Sequence, residues 1–209
     1  MRLITRAIFF LIVSAIAVAV VGPLVRPSVE RAWFVYSLAR DSAPDHLPNP
    51  VPAVRMRRLV DSWGGRRSGG RRHEGIDIFA PKEAPVASTT RGLVVRVGTN
   101  RLGGRIVAVL GPGLEWHYYA HLDRYGAFHE GDIVHAGDVI GYVGNTGNAR
   151  GTPPHLHYGI YRGGVAENPY PRVAAVAANV LAARKTNRVI SVPLGRRDHA
   201  KAAVPGLGE

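Results

Sequence analysis

The chain has 209 residues, 46% of them hydrophobic, and carries a formal net charge of +12. That length supports one domain with a proper core plus extensions. Cysteine is absent, which excludes structural disulfides, thiolate zinc sites, a cysteine nucleophile and a lipidated N-terminal cysteine.

From the start, Arg2 and Arg6 precede an apolar run from Ala7 to Val25, closed by Arg26. About 20 apolar residues span a bilayer, and basic residues on one flank stay inside. Residues 1–26 therefore read as a membrane anchor, Arg2 and Arg6 on the cytoplasmic side. A cleaved signal peptide is the rival, with Ala15-Ile16-Ala17 or Ala17-Val18-Ala19 as cleavage sites; the uninterrupted length favours a retained anchor. Either way the rest of the chain leaves the cytoplasm. Residues 27–52 read as a short helix over Ser28–Leu38 with Ser28 as its cap, followed by a Pro-rich stretch. Four prolines between Pro44 and Pro52 predict an extended linker. From Arg40 to Pro52 such a linker would reach ~40 Å at about 3.1 Å per residue.

Residues 53–170 read as one all-β, mostly antiparallel domain. Short apolar runs recur between glycine-rich turns: Ile76–Ala80, Val86–Ser88, Gly92–Val97, Arg105–Leu110, Trp116–His121, Asp132–Val134, Val139–Val143 and His155–Tyr161. Residues 171–209 read as an Ala-rich helix over Val173–Ala183 and a polar, basic tail. The charge follows these divisions. Residues 1–72 hold 12 Arg and 4 acids, residues 73–170 hold 8 basic and 9 acidic side chains, and residues 171–209 hold 7 and 2. A nucleic-acid-binding domain more often carries its charge on the folded unit. Basic flanks around a neutral middle suit an anionic membrane or wall polymer, and no nucleic acid.

Three clusters carry the candidate chemistry. Pro153-Pro154-His155-Leu156-His157-Tyr158 is strand-like, so His155 and His157 share one face about 6.5–7 Å apart. One imidazole can bind a metal while the other stands beside it. His73 and Asp77 are good zinc ligand types. Extended, they would lie ~13 Å apart, so the chain must curl between them, and Gly75 permits this. The helical zinc-protease pattern His-Glu-x-x-His fails at this point, because position 77 is Asp. In Trp116–Leu122, His117, Tyr119 and His121 would share a strand face, and either histidine is able to reach the site. His129 and His135 read as surface residues, His46 and His199 as linker and tail.

His73-x-x-x-Asp77, Tyr119-Ala120-His121-Leu122 and His155-x-His157, in this order, resemble the lysostaphin-like (LytM-domain) zinc metallopeptidases. Gly75-Ile76-Asp77-Ile78, Gly131-Asp132, Gly137-Asp138 and Gly144-Asn145-Thr146-Gly147 add to the likeness, which covers about Val54 to Pro171. The resemblance implies a grooved β domain of the duplicated hybrid motif type with Zn2+ at the groove floor. By the family pattern His73, Asp77 and His157 bind the metal, and His121 and His155 are the two non-ligand catalytic histidines. It further implies peptide-bond hydrolysis in the stems or cross-bridges of bacterial peptidoglycan, in the cell envelope. Two His and one Asp leave a fourth tetrahedral position for water, whose pKa zinc lowers to roughly 7. His121 would orient or deprotonate that water and His155 donate to the developing oxyanion. A non-catalytic wall-binding or hydrolase-activating relative is the alternative, but such relatives typically lack ligands that are present here. Trp63-Gly64-Gly65, Gly159 and the loop Arg150-Gly151-Thr152-Pro153 depart from the family's usual residues and leave substrate preference open. No regulatory partner is readable.

Overall fold

The computed structural model describes residues 2–174, with side chains along residues 2–22 described only in part. Nine strands follow one long helix: β1 Ile76–Phe79, β2 Pro85–Ala87, β3 Gly92–Asn100, β4 Gly104–Leu110, β5 Trp116–Tyr125, β6 Ile133–Val134, β7 Val139–Val143, β8 His155–Arg162 and β9 Val165–Glu167. All pairings are antiparallel, in the order β1-β8-β5-β4-β3-β6, with β7 joining β2 to β5 and β9 extending β8. The expected mostly antiparallel β domain is therefore observed. The β9 strand is additional, because Gly163-Gly164 makes a tight turn whose following residues are too few to show a period. Strand β5 also runs four residues past His121, where Asp123 and Arg124 mask the alternation.

Alternation along these strands separates two faces. Ile76, Ile78, Leu156, Tyr158, Ile160 and Tyr119 point inward and are fully or nearly fully buried, with Val107, Val109 and Leu122. Each such side chain contributes roughly 1.5–3 kcal/mol on burial. Asp77, Tyr118, Ala120, His155 and His157 occupy the other face and line a cleft.

The N-terminal half of the chain departs from expectation in two places. The helix α1 runs unbroken from Arg2 to Arg40, through Pro23 and Pro27. Ser28 therefore lies inside it and caps nothing. Proline costs a helix its own hydrogen bond, but tertiary contacts hold the downstream turns as helix: Leu38 is fully buried, Arg91 lies 5.4 Å over the Phe34 ring, and it pairs with Asp41 just past the helix end. Among the residues whose side chains are described, which leave out most of residues 2–22, no helix is long and apolar enough to cross a membrane.

The second departure is the Pro-rich stretch, which is packed rather than extended. Leu47 and Val51 are fully buried in the core, and Val173 joins them from beyond β9. Backbone bonds Leu47 N–H to Arg172 O (3.0 Å) and Ala87 N–H to Pro50 O (2.8 Å) tie it down. The Arg172 guanidinium also donates to Pro44 O at 2.6 and 2.9 Å. The ~40 Å reach expected of a polyproline spacer is thus lost, because apolar residues between the prolines gain more by burial than by hydration. Residues 170–174 begin a helix; the rest of the expected Ala-rich helix and the tail lie outside the described residues.

Beneath the sheet sits a buried polar knot. The Thr89 hydroxyl contacts the hydroxyls of Tyr119 (2.9 Å) and Tyr158 (2.8 Å), and His117 Nδ1 lies 2.8 Å from the Tyr158 hydroxyl. Nearby, Glu115 is fully buried and accepts from Arg162 and Arg172. Burial pushes the pKa of His117 down to about 4, only partly offset by Glu115. The unfolded chain therefore binds more protons than the folded one between about pH 4 and 6.5, so stability rises with pH across that window and falls as pH drops through it. Between pH 7 and 5 His117 should cost the fold about 2 kcal/mol. Urea unfolding at both pH values checks this: His117→Gln should flatten the pH slope by that amount, and an unchanged slope would show the imidazole to be charged in the fold.

Candidate metal centre and active-site cleft

Two adjacent strands supply most of the site. Asp77 of β1 is the register partner of His157 of β8, and His157 in turn faces Ala120 of β5. His73 comes from the segment before β1, where Gly64 N–H donates to His73 O and His73 N–H to Gly65 O, both 2.9 Å. The curl expected at Gly75 is present, but its cause is different. Gly75 has no left-handed φ; a Cβ there would lie 2.8 Å from His157 Cε1 and 2.5 Å from Tyr158 O. The glycine supplies space for the His157 ring.

The three donor atoms form a nearly equilateral triangle. His73 Nε2 is 2.9 Å from His157 Nδ1 and 3.1 Å from Asp77 Oδ1, and His157 Nδ1 is 3.2 Å from Asp77 Oδ1. Bonds of about 2.0–2.1 Å at a tetrahedral ion set ligands roughly 3.3 Å apart, so the triangle fits one small divalent cation. His73, Asp77 and His157 are also the group whose ligand atoms all lie within 4.8 Å of one another. His73 Nδ1 donates to Ser62 O at 2.7 Å; since a carbonyl only accepts, Nε2 keeps its lone pair for the metal. Burial opposes charge on Asp77, but the ring nitrogens of His157 and His73 beside it outweigh burial and hold the carboxyl well below the usual carboxylate range. Burial lowers the pKa of the His157 imidazole, against the pull of Asp77. Arg67 donates to the second carboxylate oxygen, Oδ2, at 2.5 Å, leaving Oδ1 toward the triangle.

His121 and His155 stand beside this group. The ring centroids of His121 lie 5.0 Å from His155 and 5.9 Å from His157. His121 Nδ1 donates to Thr146 O and His155 Nδ1 to Pro153 O, both at 2.8 Å. In the neutral ring this bond leaves Nε2 as the acceptor, and neither Nε2 is a buried atom lacking a partner; both rings line the cleft. Burial, reinforced by the neighbouring His157 and His155, pushes the pKa of His121 down to about 4. It is a neutral base at physiological pH.

The shared face expected for His117, Tyr119 and His121 is not observed. His117 and Tyr119 point into the core, while His121 lines the cleft with Ala120. The reason is a β-bulge: Val107 pairs with Tyr119 and Arg105 with Leu122, so Ala120 and His121 lie opposite Ile106 alone. His121 adopts φ 62° there, which turns its side chain to the other face. His129 and His135 are exposed, as expected. Ser62, Arg67, Tyr118 and the carbonyl of Thr146 were not singled out in the sequence; two act through backbone or side-chain oxygens that no spacing reveals. The five expected site residues are brought together in a cleft of about 660 Å³.

A triangle of two histidines and a carboxylate with two flanking imidazoles describes a metal-dependent hydrolase site. Residues 71–169 match the family model for Peptidase family M23. An L-Ala–D-Glu endopeptidase of Bacillus subtilis is 44% identical over 138 residues, covering 60% of this chain and 42% of that relative. Lysostaphin of Staphylococcus simulans is 33% identical over 108 residues, covering 49% of this chain and 21% of that relative. The chain thus spans less than half the length of either. Among solved structures, the catalytic domain of lysostaphin from Staphylococcus simulans superposes with a TM-score of 0.50 at 29% identity, covering 56% of this chain and 92% of that one. A candidate glycyl-glycine endopeptidase LytM of Ruminococcus gnavus superposes with a TM-score of 0.54 at 34% identity, covering 68% and 63%.

Metal analysis separates the roles in this cleft. His157→Ala should lose stoichiometric zinc, since the triangle is reduced to two donors. His121→Ala should retain zinc and the fold. Full zinc occupancy in the first variant, or equal loss in both, would reassign the ligand set.

Proposed function

We propose that the chain is a zinc-dependent endopeptidase that hydrolyses peptide bonds in the stems or cross-links of bacterial peptidoglycan. The observation that carries this reading is the near-equilateral triangle of His73 Nε2, Asp77 Oδ1 and His157 Nδ1 at the floor of a peptide-sized cleft in an M23 domain. Bound zinc would supply Lewis-acid polarisation of the scissile carbonyl and a lowered water pKa. His73, Asp77 and His157 would hold it.

The remaining chemistry belongs to the two flanking histidines. With Nδ1 of each ring committed to a backbone carbonyl, Nε2 is the only position able to exchange a proton. His121 takes the proton of the attacking water as its oxygen bonds to the carbonyl carbon. His155, in its imidazolium form with a proton drawn from solvent, hydrogen-bonds to the carbonyl oxygen as negative charge develops there and keeps that proton. As the C–N bond breaks, the proton held on an imidazole passes to the leaving amine. Positioned proton transfer of this kind contributes about 10²–10⁴-fold. The complete donor set leaves the non-catalytic, wall-binding alternative without a supporting observation.

Purified sacculi incubated with the protein should release soluble fragments with new peptide termini, identified by mass spectrometry. His121→Ala should lower the rate at least about 100-fold, and chelation should abolish it. Intact sacculi after incubation with the zinc-loaded protein would overturn the reading.

The N-terminal segment Ala7–Val25 is proposed to hold the domain on the outer side of the cytoplasmic membrane, with Arg2 and Arg6 inside. Its apolar length supports this, as do Trp33 and Tyr36, exposed on the same helix 5.4 Å apart, where aromatic residues favour a membrane interface. Because α1 is docked on the domain through Leu38 and Arg91, the cleft would stand at a fixed height above the lipid. N-terminal sequencing of the mature protein should find the chain beginning at or near Met1. A terminus near Val18 or Val20 would mean a cleaved signal peptide.

A further inference from the structure

The cleft is lined by four arginines, Arg67, Arg71, Arg72 and Arg101, against two acids, Glu74 and Asp77. Asp77 is already engaged by His73, His157 and Arg67. Arg71 and Arg72 donate to neutral oxygens only, of Ser68 and Gly64, which orient the guanidinium groups and leave their charge uncompensated. Arg101 has no ion-pair partner among the described residues. Several arginines elsewhere on the domain do meet carboxylates: Arg91 with Asp41, Arg124 with Glu83, Arg162 and Arg172 with Glu115. Arg67, Arg71 and Arg72 belong to the basic flank of residues 1–72, which holds 12 Arg and 4 acids, while Arg101 comes from the near-neutral segment of residues 73–170.

The placement has a structural cause. Arg66 and Arg72 bridge the base of a loop whose tip, Gly69 and Gly70, takes φ of 72° and 73°, a conformation open to glycine. This loop sets Arg67, Arg71 and Arg72 on the β1 side of the cleft. Arg101 stands on the other side, in the turn between β3 and β4. The basic flank preceding residue 73 is therefore turned in part onto the substrate cleft.

We propose that these arginines make the cleft selective for peptides with free carboxylates close to the scissile bond, that is, acidic stem peptides in preference to neutral glycine bridges. The inference rests on the endopeptidase reading above and names its substrate class. Guanidinium forks match carboxylates bidentately, and a cleft lined by one sign of charge concentrates the opposite sign. Relatives are named both for an Ala–Glu bond, which carries such a carboxylate, and for glycyl-glycine bonds, which do not.

The test uses the full chain in detergent and three probes: Ala-γ-D-Glu-Lys-D-Ala-D-Ala with free carboxylates, the same peptide with both carboxylates amidated, and pentaglycine amide. Binding is measured by calorimetry on the zinc-free protein, and kcat/KM on the zinc-loaded protein. The free acid should bind about tenfold tighter than its amide at about 50 mM salt, with the preference shrinking at about 500 mM. The exposed double substitution Arg71→Gln/Arg101→Gln should bring the acid-to-amide ratio toward one while circular dichroism stays unchanged. Equal binding of acid and amide, or a ratio the double variant leaves unaltered, overturns the proposal even where all probes are cut. Preferential binding of the acid with no cleavage of any probe or of sacculi supports the carboxylate preference and overturns the hydrolase reading instead.

Discussion

A β-strand has two hydrogen-bonding edges, yet β5 has three neighbours. Along one edge β4 pairs with Trp116–Leu122; along the other, Trp116–Ala120 pair with β8 and Leu122–Tyr125 with β7. The exchange of partners falls on His121, the residue at φ 62°, and the rest of the site depends on that fork. A non-glycine residue in this region costs of order 1–3 kcal/mol, and its surroundings hold it there: His121 N–H donates to Gly103 O at 2.7 Å and its ring to Thr146 O. Gly144 lies in the crotch, where a Cβ would come within 2.5 Å of Asp123 N. The fork opens the cleft, turns His121 into it, and lets β8 carry His155 and His157 along its edge.

The metal-binding triangle is the second consequence. Its atoms come from β1, from β8 and from the segment before β1, so no local structure assembles it. The antiparallel register sets Asp77 opposite His157, and the missing side chain at Gly75 lets the His157 ring occupy the space between. The imidazoles of His73, His121 and His155 each have the far nitrogen bonded to a carbonyl, of Ser62, Thr146 and Pro153 respectively. These bonds set tautomers as well as orientations. In the neutral tautomer that each bond favours, the Nε2 lone pair faces the cleft.

Stability is concentrated on the opposite face of the sheet. The Thr89 knot satisfies the hydroxyls of Tyr119 and Tyr158, and Glu115 ties Arg162 to Arg172. Arg172 also holds Pro44, so segments before and after the sheet close over the same core. A short anchored approach results in place of a flexible tether, and the helix that precedes it is joined to the domain through Leu38.

Much of this was legible in the sequence because its cause is local. Alternating apolar runs between glycine turns marked eight of the nine strands, and His155-x-His157 on a strand necessarily presents both rings to one side. His73, Asp77 and His121 were legible through the spacing and order of their motifs. What only the tertiary structure decided involves contacts between distant segments. Burial of Leu47 and Val51 overrode the extended preference of the prolines around them, since local propensity is weaker than the gain from filling a core. The face of His121 depended on the bulge opposite Ile106, which strand periodicity cannot anticipate. The basic flank appeared in composition only as a charge difference; its direction, onto the cleft, was set by the loop that closes between Arg66 and Arg72.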